Sequence, residues 1–567
     1  MYIERVPNRN SPPAILLRES RREGKKTLKR TLANLSDWPE HKLAAFRLLL
    51  RGETLVRPEE LFSIERSTPH GHVEAVLGTS KKLGLEQVIS SQRCRERDLV
   101  VGMVAERLLH PCSKLATTRL WHNSTLAEEL GISDADENDL YAAMDWLLGR
   151  QKQIEKKLAQ RHLSDGAVVL YDISSSYYEG QTCQLVKYGY SRDGKKGLPI
   201  IVYGVITDGR GRPIAVDVYP GNTSDSKTVP DQVGKVMERF GLKQIVIVGD
   251  RGMLTGTQIE SLKEHPGIGW ISALRSSSIR ALVDDKRITP SLFDERNLAE
   301  ISSPEYPGER LIACHNPLQA EKRRRTREQL LLATEKELEK VAAEVGRRRT
   351  KPLGAAEIGI KTGKILGRYK MGKHFELTIK EGEFNWTRKQ ESIVEEEQLD
   401  GIYVIRASEK QERFSAEDTV RAYKGLTQVE EAFRAMKGIN IQVRPIHHRT
   451  EDHVRAHIFL CMLTYYVEWE MRKALAPLLF DDEELDQNRQ TRDPILPAQS
   501  SKSAKKKKQT KMTWDGLPVH SFETLLEALK TRCRNTCRVK STPGAPTITQ
   551  LTEPNPLQQR AFQLLGL

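Results

Sequence analysis

The chain has 567 residues, more than one core usually organises, so two to four domains are expected. Charged residues make up 29% and hydrophobic ones 38%, which excludes an intrinsically disordered protein. The 90 Lys and Arg against 76 Asp and Glu leave a net charge of +14, which favours a polyanionic partner, nucleic acid first, although solvated basic faces are common in other proteins.

Residues 1–84 read as a mixed α/β basic region, with short β-like stretches and a basic segment, RESRREGKKTLKRTLANL, expected to be helical. Residues 85–165 are helical in pattern. RERDLVVGMVAERLL places apolar residues at three- and four-residue spacing, and DADENDLYAAMDWLLGRQKQIEKKLAQ has an acidic start and a basic end. At residue 166 the period changes. AVVLYD (167–172), LPIIVYGVITD (198–208) and RPIAVDVYPG (212–221) read as consecutive antiparallel strands joined by turn-rich links such as DGRGRP. The helical KTVPDQVGKVMERFG, the strand QIVIVGD, a helix around TGTQIESLKEH and the strand IGWISAL complete the order βββαβαβ over 166–275.

Between 276 and 415 a strongly basic helix, EKRRRTREQLLLATEKELEKVAAEVGRRR, keeps Leu331, Leu338, Ala342 and Val345 on one side. The strand-like HFELTIKEGEFNWT and GIYVIRAS follow it, so this α+β stretch is expected to be an insertion. The core resumes over 416–478 in two helices, SAEDTVRAYKGLTQVEEAFRAMKG (415–438) and the nearly all-apolar EDHVRAHIFLCMLTYYVEWEMRKAL (451–475), the second expected to be buried. Its longest apolar run, at 458–467, is about half of what a membrane span needs. The opening residues carry charges and prolines where a signal peptide would be apolar, so a cytoplasmic protein without membrane contact is expected.

Residues 479–567 form a tail in which KSAKKKKQTK (502–511) is expected to be a flexible linker. Seven scattered cysteines suit a reducing compartment. Neither the lone Cys533–Cys537 pair nor His453 with His457, which lack a Glu between them in the metalloprotease arrangement, reads as a zinc site.

The strand order predicts an α/β core, a ribonuclease H-like mixed five-stranded sheet with flanking helices, in which the tips of the first and fourth strands are neighbours. Asp172 ends the first and Asp250 the fourth. Two rigid strands ending in carboxylates can hold a divalent metal at fixed spacing, where unpaired they would repel. The competing explanation is that turns favour Asp at strand ends. A third ligand is expected from the helix carrying YKGLTQVEEAFRAMK. At about 100° per residue, Leu426, Val429, Phe433 and Met436 form its core stripe. Glu430 lies at the stripe's edge with Tyr423, Arg434 and Lys437 on the same flank, while Glu431 points to the back. An ordinary Glu430–Arg434 pair is the alternative.

These residues resemble the DDE transposases of bacterial insertion sequences, in the group with a β-rich insertion between the second Asp and the Glu. LYDISSSYYEG is similar to that family's first-Asp segment, KYGYSRDGKKGLPIIVYGV to its following strand region, and IVIVGDRGM to its second-Asp segment. YKGLTQVEEAFRAMK resembles the signature Tyr-x2-Arg-x3-Glu-x6-Lys, with Tyr423, Glu430 and Lys437 at the right intervals and Leu426 where the Arg belongs. The gap from Asp250 to Glu430 fits the same group, and the likeness covers roughly 85–475.

The resemblance implies a transposase that cuts at the ends of its insertion sequence and joins them to target DNA. Two Mg2+ ions, with Mn2+ able to substitute, would be held by Asp172, Asp250 and Glu430. Arg251, Tyr423, Arg434 and Lys437 would contact the DNA backbone, Arg434 standing in for the missing Arg. It also implies recognition of double-stranded DNA by residues 85–165 and the basic helix of the insertion, and a homodimer on DNA. The alternatives are a catalytically inactive DNA-binding regulator and a ribonuclease H-superfamily nuclease that cuts without joining.

Overall fold

The computed structural model describes residues 1–9, 11–53, 62–195, 197–293, 296–348, 350–539 and 547–567; Lys196 of KYGYSRDGKKG and Arg349 at the end of the basic helix lie outside them. The chain divides into two units, residues 1–68 with 532–553, and residues 69–531 with 554–567.

In the first unit, β1 (Tyr2–Val6), β2 (Ala14–Glu23) and β3 (Lys26–Asn34) form an antiparallel sheet, followed by α1 (Glu40–Leu50) and β4 (Phe62–Pro69). The segment RESRREGKKTLKRTLANL, expected to be a helix, is the β2–β3 hairpin. Gly24 at φ +62° supplies the left-handed turn residue, and Thr27, Lys29 and Thr31 alternate with Leu28, Arg30 and Leu32 at the two-residue period of a strand.

The second unit opens with α2 (Gly71–Lys82), α3 (Arg95–Leu109) and α4 (Glu137–His162). Helix α4 starts on a reciprocal cap, Asp139 N donating to Asp136 Oδ1 (3.0 Å) and Asp136 N to Asp139 Oδ2 (3.1 Å). These helices share one hydrophobic core with the sheet that follows; Leu140, Met144, Leu147, Ile154 and Leu158 of α4 are fully buried in it.

That sheet is built from β5 (Ala167–Tyr177), β6 (Ile200–Asp208), β7 (Pro213–Pro220), β8 (Ile245–Val248), β9 (Ile268–Ala273), β10 (Leu298–Ile301) and β11 (Arg310–His315). After β11 the chain makes the basic helix α5 (Pro317–Arg347), α6 (Ala355–Tyr369) and a separate hairpin, β12 (Phe375–Lys380) with β13 (Glu383–Arg388). This inserted part has its own core, with Leu331, Leu338 and Val345 of α5 buried against Phe375 and Phe384. Strand β14 (Ile402–Ala407) then returns to the main sheet.

The main sheet is mixed and eight-stranded, in the order β10-β11-β14-β9-β8-β5-β6-β7, where five strands were expected. GIYVIRAS, assigned above to the insertion, is β14. It pairs antiparallel with β9 and with β11 because Val404, Ile405 and Ala407 are apolar enough to be buried there. The five expected strands keep neighbouring places, with β5, β6 and β7 antiparallel and β5, β8 and β9 parallel.

Helices α7 (Ala416–Lys424), α8 (Leu426–Lys437) and the buried α9 (Glu451–Leu475) complete the core. No helix among the described residues is long and apolar enough to cross a membrane. Beyond it, KSAKKKKQTK is helix α10 (Lys502–Thr510), not a linker. Ser501 caps it, and the buried Lys507 donates to Ala476 O (2.8 Å), Asp481 O (3.0 Å) and Glu483 Oε1 (2.7 Å), which fixes the segment in place. Helices α11 (Phe522–Lys530) and α12 (Pro556–Leu565) pack on α2. Between them β15 (Cys533–Val539) and β16 (Thr547–Leu551) belong to the first unit, where β15 lies between β16 and β4.

Candidate active site

Strand β8 is four buried β-formers, Ile245 to Val248, held between β5 and β9. Its parallel register with β5 runs Ala167 to Leu170 against Ile245 to Val248. Two residues past the last pair on each chain stand Asp172 and Asp250, so the ladder delivers them to the same level of the sheet. Asp172 is not at a strand end, as expected, but mid-strand, because the serine-rich continuation to Tyr177 pairs with β6. Gly249 is tight for a reason: a Cβ there would stand 3.1 Å from Leu254 Cγ, in the turn that Met253 N and Leu254 N close onto Asp250 O.

The expected single helix over 415–438 is two, α7 and α8, broken at Gly425. A Cβ on Gly425 would lie 2.8 Å from Ala422 O and 3.4 Å from a Leu170 methyl, so glycine lets the chain press against β5. Val429, Phe433 and Met436 are buried, and Phe433 packs edge-on to Tyr203 of β6 (centroids 5.7 Å). Leu426 is half-buried against the same core. Glu430 is left exposed at the edge of the stripe and makes no hydrogen bond or ion pair with Arg434 or any other described residue, while Glu431 faces Arg489 (3.9 Å).

The Asp172 carboxyl senses the other two. Burial pushes the Asp172 carboxyl up to about 7; the negative charges of Asp250 and Glu430 add to this, and the Ile173 N–H and the Arg192 guanidinium oppose it. Asp172 Oδ1 accepts from Ile173 N (2.8 Å). Tyr423, half-buried at the end of α7, donates its hydroxyl to Asp250 Oδ1 (3.4 Å), and burial together with that carboxylate pushes the phenol upward. Arg251 and Arg434 are exposed and make no ion pair among the described residues. Lys437 turns inward instead. Its Nζ donates to Ser174 Oγ (2.6 Å) and Asp193 Oδ1 (2.9 Å), and burial pushes its ammonium down.

Among the described residues no group of three His, Cys, Asp or Glu side chains is gathered closely enough to hold a metal. Asp250 and Glu430 are each within electrostatic reach of Asp172, without the three closing into a ligand shell. Their donor chemistry still fits a hard divalent cation: all three offer carboxylate oxygen, Glu430 has no competing partner, and a cation would relieve the penalty on ionised Asp172. The histidine pair set aside above is structural, His457 Nε2 lying 3.1 Å from Val443 O and His453 pairing with Asp145 at 3.3 Å.

Asp193, Arg444 and Arg192, gathered about the far half of β5 and Lys437, were not singled out from the sequence. Asp193, buried, accepts from Tyr177 N (3.1 Å) and pairs with Lys437 and Arg444; Arg192 donates its amide to Ser175 Oγ (3.0 Å). SRDGKK reads as a turn, and nothing in such a stretch says that its aspartate is buried.

The family described as Transposase DDE domain matches residues 167–467, more than half of the chain and the whole span of this carboxylate set. The chain belongs to the DDE transposases. Residues 3–62 of this transposase match the IS1634 family transposase N-terminal domain, which makes it of the insertion-sequence kind. A search of curated proteins returns no significant match. Among solved structures, a piggyBac transposase synaptic complex with hairpin DNA aligns with 78% of this transposase and 88% of that chain at 12% identity and a TM-score of 0.30, too loose to bear on the argument.

Proposed function

We propose that this transposase cuts double-stranded DNA at the ends of its insertion sequence and joins them to target DNA, with Asp172, Asp250 and Glu430 as its catalytic carboxylates. One observation carries the reading: the β5–β8 register sets Asp172 beside Asp250, and a helix 180 residues further on brings Glu430 near enough to raise Asp172. We read β7-β6-β5-β8-β9 as a ribonuclease H-like core on the same strand order.

Asp172, Asp250 and Glu430 would hold Mg2+, or Mn2+ in its place. When bound, the metal supplies Lewis acidity at the scissile phosphate and an acidified attacking water or hydroxyl. The chain's own side chains do the rest. Tyr423 holds Asp250 through its hydroxyl, and Lys437 braces β5 through Ser174 and Asp193. The unpaired Arg251 and Arg434 face the DNA backbone, where Leu426, packed on the core, has no charge to offer. Duplex recognition falls to the surface of residues 85–165 and to α5, whose exposed Lys322 and Arg325 make no ion pair among the described residues. Two ends cut together call for a homodimer on DNA.

The test is nicking and strand joining on DNA carrying the element's own ends, with Mg2+. Asp172→Asn, Asp250→Asn and Glu430→Gln are each expected to lower both steps at least about a hundredfold with the fold intact by circular dichroism. Normal activity in any of the three sinks the assignment. Nicks without joined product would select the nuclease, and salt-sensitive binding without cleavage the regulator.

A further inference from the structure

We infer that the loop between β5 and β6 carries a stacking platform, Tyr188 and Tyr190, for an unpaired base of the DNA strand lying at the catalytic carboxylates. This rests on the DNA-cutting function proposed above and adds a binding subsite to it. Tyr188 is 73% and Tyr190 80% exposed, near the top of the range for large apolar side chains in this chain.

The rings are exposed on a backbone that is not free to move. Gly189 between them presses on Gly221: a Cβ on Gly189 would stand 2.1 Å from Gly221 O, and one on Gly221 would stand 2.1 Å from Ile200 O and 2.5 Å from Lys187 O. Lys187 and Ile200 exchange backbone hydrogen bonds (3.3 and 2.9 Å), and Gly221 N donates to Leu185 O (2.9 Å). The main chain is thus fastened to the start of β6 and the end of β7 while both rings are left bare, an arrangement that adds nothing to folding. It presents two rigid π-faces at low entropic cost to a ligand.

Charge and position say which ligand. The Arg192 guanidinium, which also pairs with Asp225, lies 5.7 Å from the Tyr190 ring centroid, and Lys195 Nζ lies 3.8 Å from that of Tyr177, so one cation flanks the exposed Tyr190 ring and a second stands on Tyr177 in the same loop region. The same Arg192 is anchored by its amide to Ser175, three residues beyond Asp172 on β5, and its charge reaches the Asp172 carboxyl. Aromatic faces interleaved with cations, one side chain away from a catalytic carboxylate, match a nucleobase stacked beside its own phosphate, and not paired bases, whose faces are hidden in the duplex.

The full chain, in EDTA to prevent cleavage, is titrated into a fluorescein-labelled blunt duplex and into the same duplex with a short single-stranded overhang containing 2-aminopurine. Wild type is expected to prefer the overhang roughly tenfold and to quench the 2-aminopurine. Tyr188→Ala with Tyr190→Ala is expected to bring the ratio of the two dissociation constants toward one and to abolish the quenching, while Tyr188→Phe with Tyr190→Phe keeps both. A preference that survives the alanines, or wild type that binds the blunt duplex with no preference, overturns the platform and leaves the transposase reading standing. Failure to bind either probe overturns both.

Discussion

Lys114 is 4% exposed and has no ion-pair partner among the described residues. Arg107, Cys112, Cys461, His448 and His457 surround it, and burial, with Arg107 adding, pushes its ammonium down to about 7; both histidines are pushed down too and stay neutral. An unfolded chain holds this proton up to about pH 10, so between roughly pH 7 and 10 the unfolded state binds more protons than the folded one. Stability at this site is therefore complete above that window and lost as pH falls through it. Lys114→Met is expected to raise unfolding stability by on the order of 3 kcal/mol at about pH 6, with the gain shrinking at about pH 9, in urea titrations at both pH values. An equal gain at both would show that the ammonium is not the cause. Nothing in the string HPCSKLATT announces this burial. By contrast Asp250 and Glu430 are legible, one after a run of β-formers and the other at the edge of an apolar stripe, because local period alone sets where they point. Arg192 and Asp193 are not, since their positions depend on contacts with β5 and α8 from distant parts of the chain.

At the scale of elements, strand and helix types over 166–275 and 415–475 were readable but their extents were not. ISSSYY is poor β-former sequence, yet β5 runs through it because β6 offers nine partners and Ser176 finds the Tyr203 hydroxyl (2.9 Å). Gly425 splits an otherwise continuous helical pattern for the sake of close approach to Leu170, a tertiary reason that no periodicity carries. Strand β7 is the sheet's outer edge, and its free backbone groups are met by helices: Val216 N donates to Glu155 Oε1 (3.1 Å), Gln151 Nε2 to Val216 O (2.8 Å) and Arg455 to Val218 O (2.7 Å). Glu155, wholly buried, also compensates Arg239 (2.9 Å) and Lys235 (3.5 Å). Glu155→Ala leaves an edge amide and Arg239 without their partner and Lys235 with Asp217 alone, and is expected to destabilise the protein by about 3–5 kcal/mol. Glu155→Gln, which keeps the amide bond, should lie between it and wild type in thermal melts. An alanine variant that melts with wild type would show that α4 does not hold the edge.

The larger unit is tied together by segments far apart in sequence. The N-terminal hairpin reads as a helix because basic residues are compatible with both periods, and KSAKKKKQTK reads as a flexible linker because its composition is polar and lysine-rich. Helix α12 instead belongs to the unit that holds the transposase DDE domain. Helix α12 buries Ala561, Phe562 and Leu565 against α2 and α9, and the Leu567 side chain covers Gly78 so closely that a Cβ there would be 2.6 Å from it. Gln558 donates to Ala528 O and Thr531 Oγ1 (2.9 Å each), and Lys82 Nζ to Leu565 O (2.8 Å). Removing residues 554–567 would uncover two large apolar side chains' worth of core, at about 1.5–3 kcal/mol each. The truncated protein is expected to lose about 3–6 kcal/mol of stability, to melt well below the full chain and to be nicked by protease in α2 first, where the cover is gone. Because α12 lies on α2 and α9, away from the residues named for catalysis, strand cleavage at low temperature should persist. An unchanged melting point would mean that α12 is no part of the folding unit, and cleavage lost before the fold is would mean that it reaches the active site.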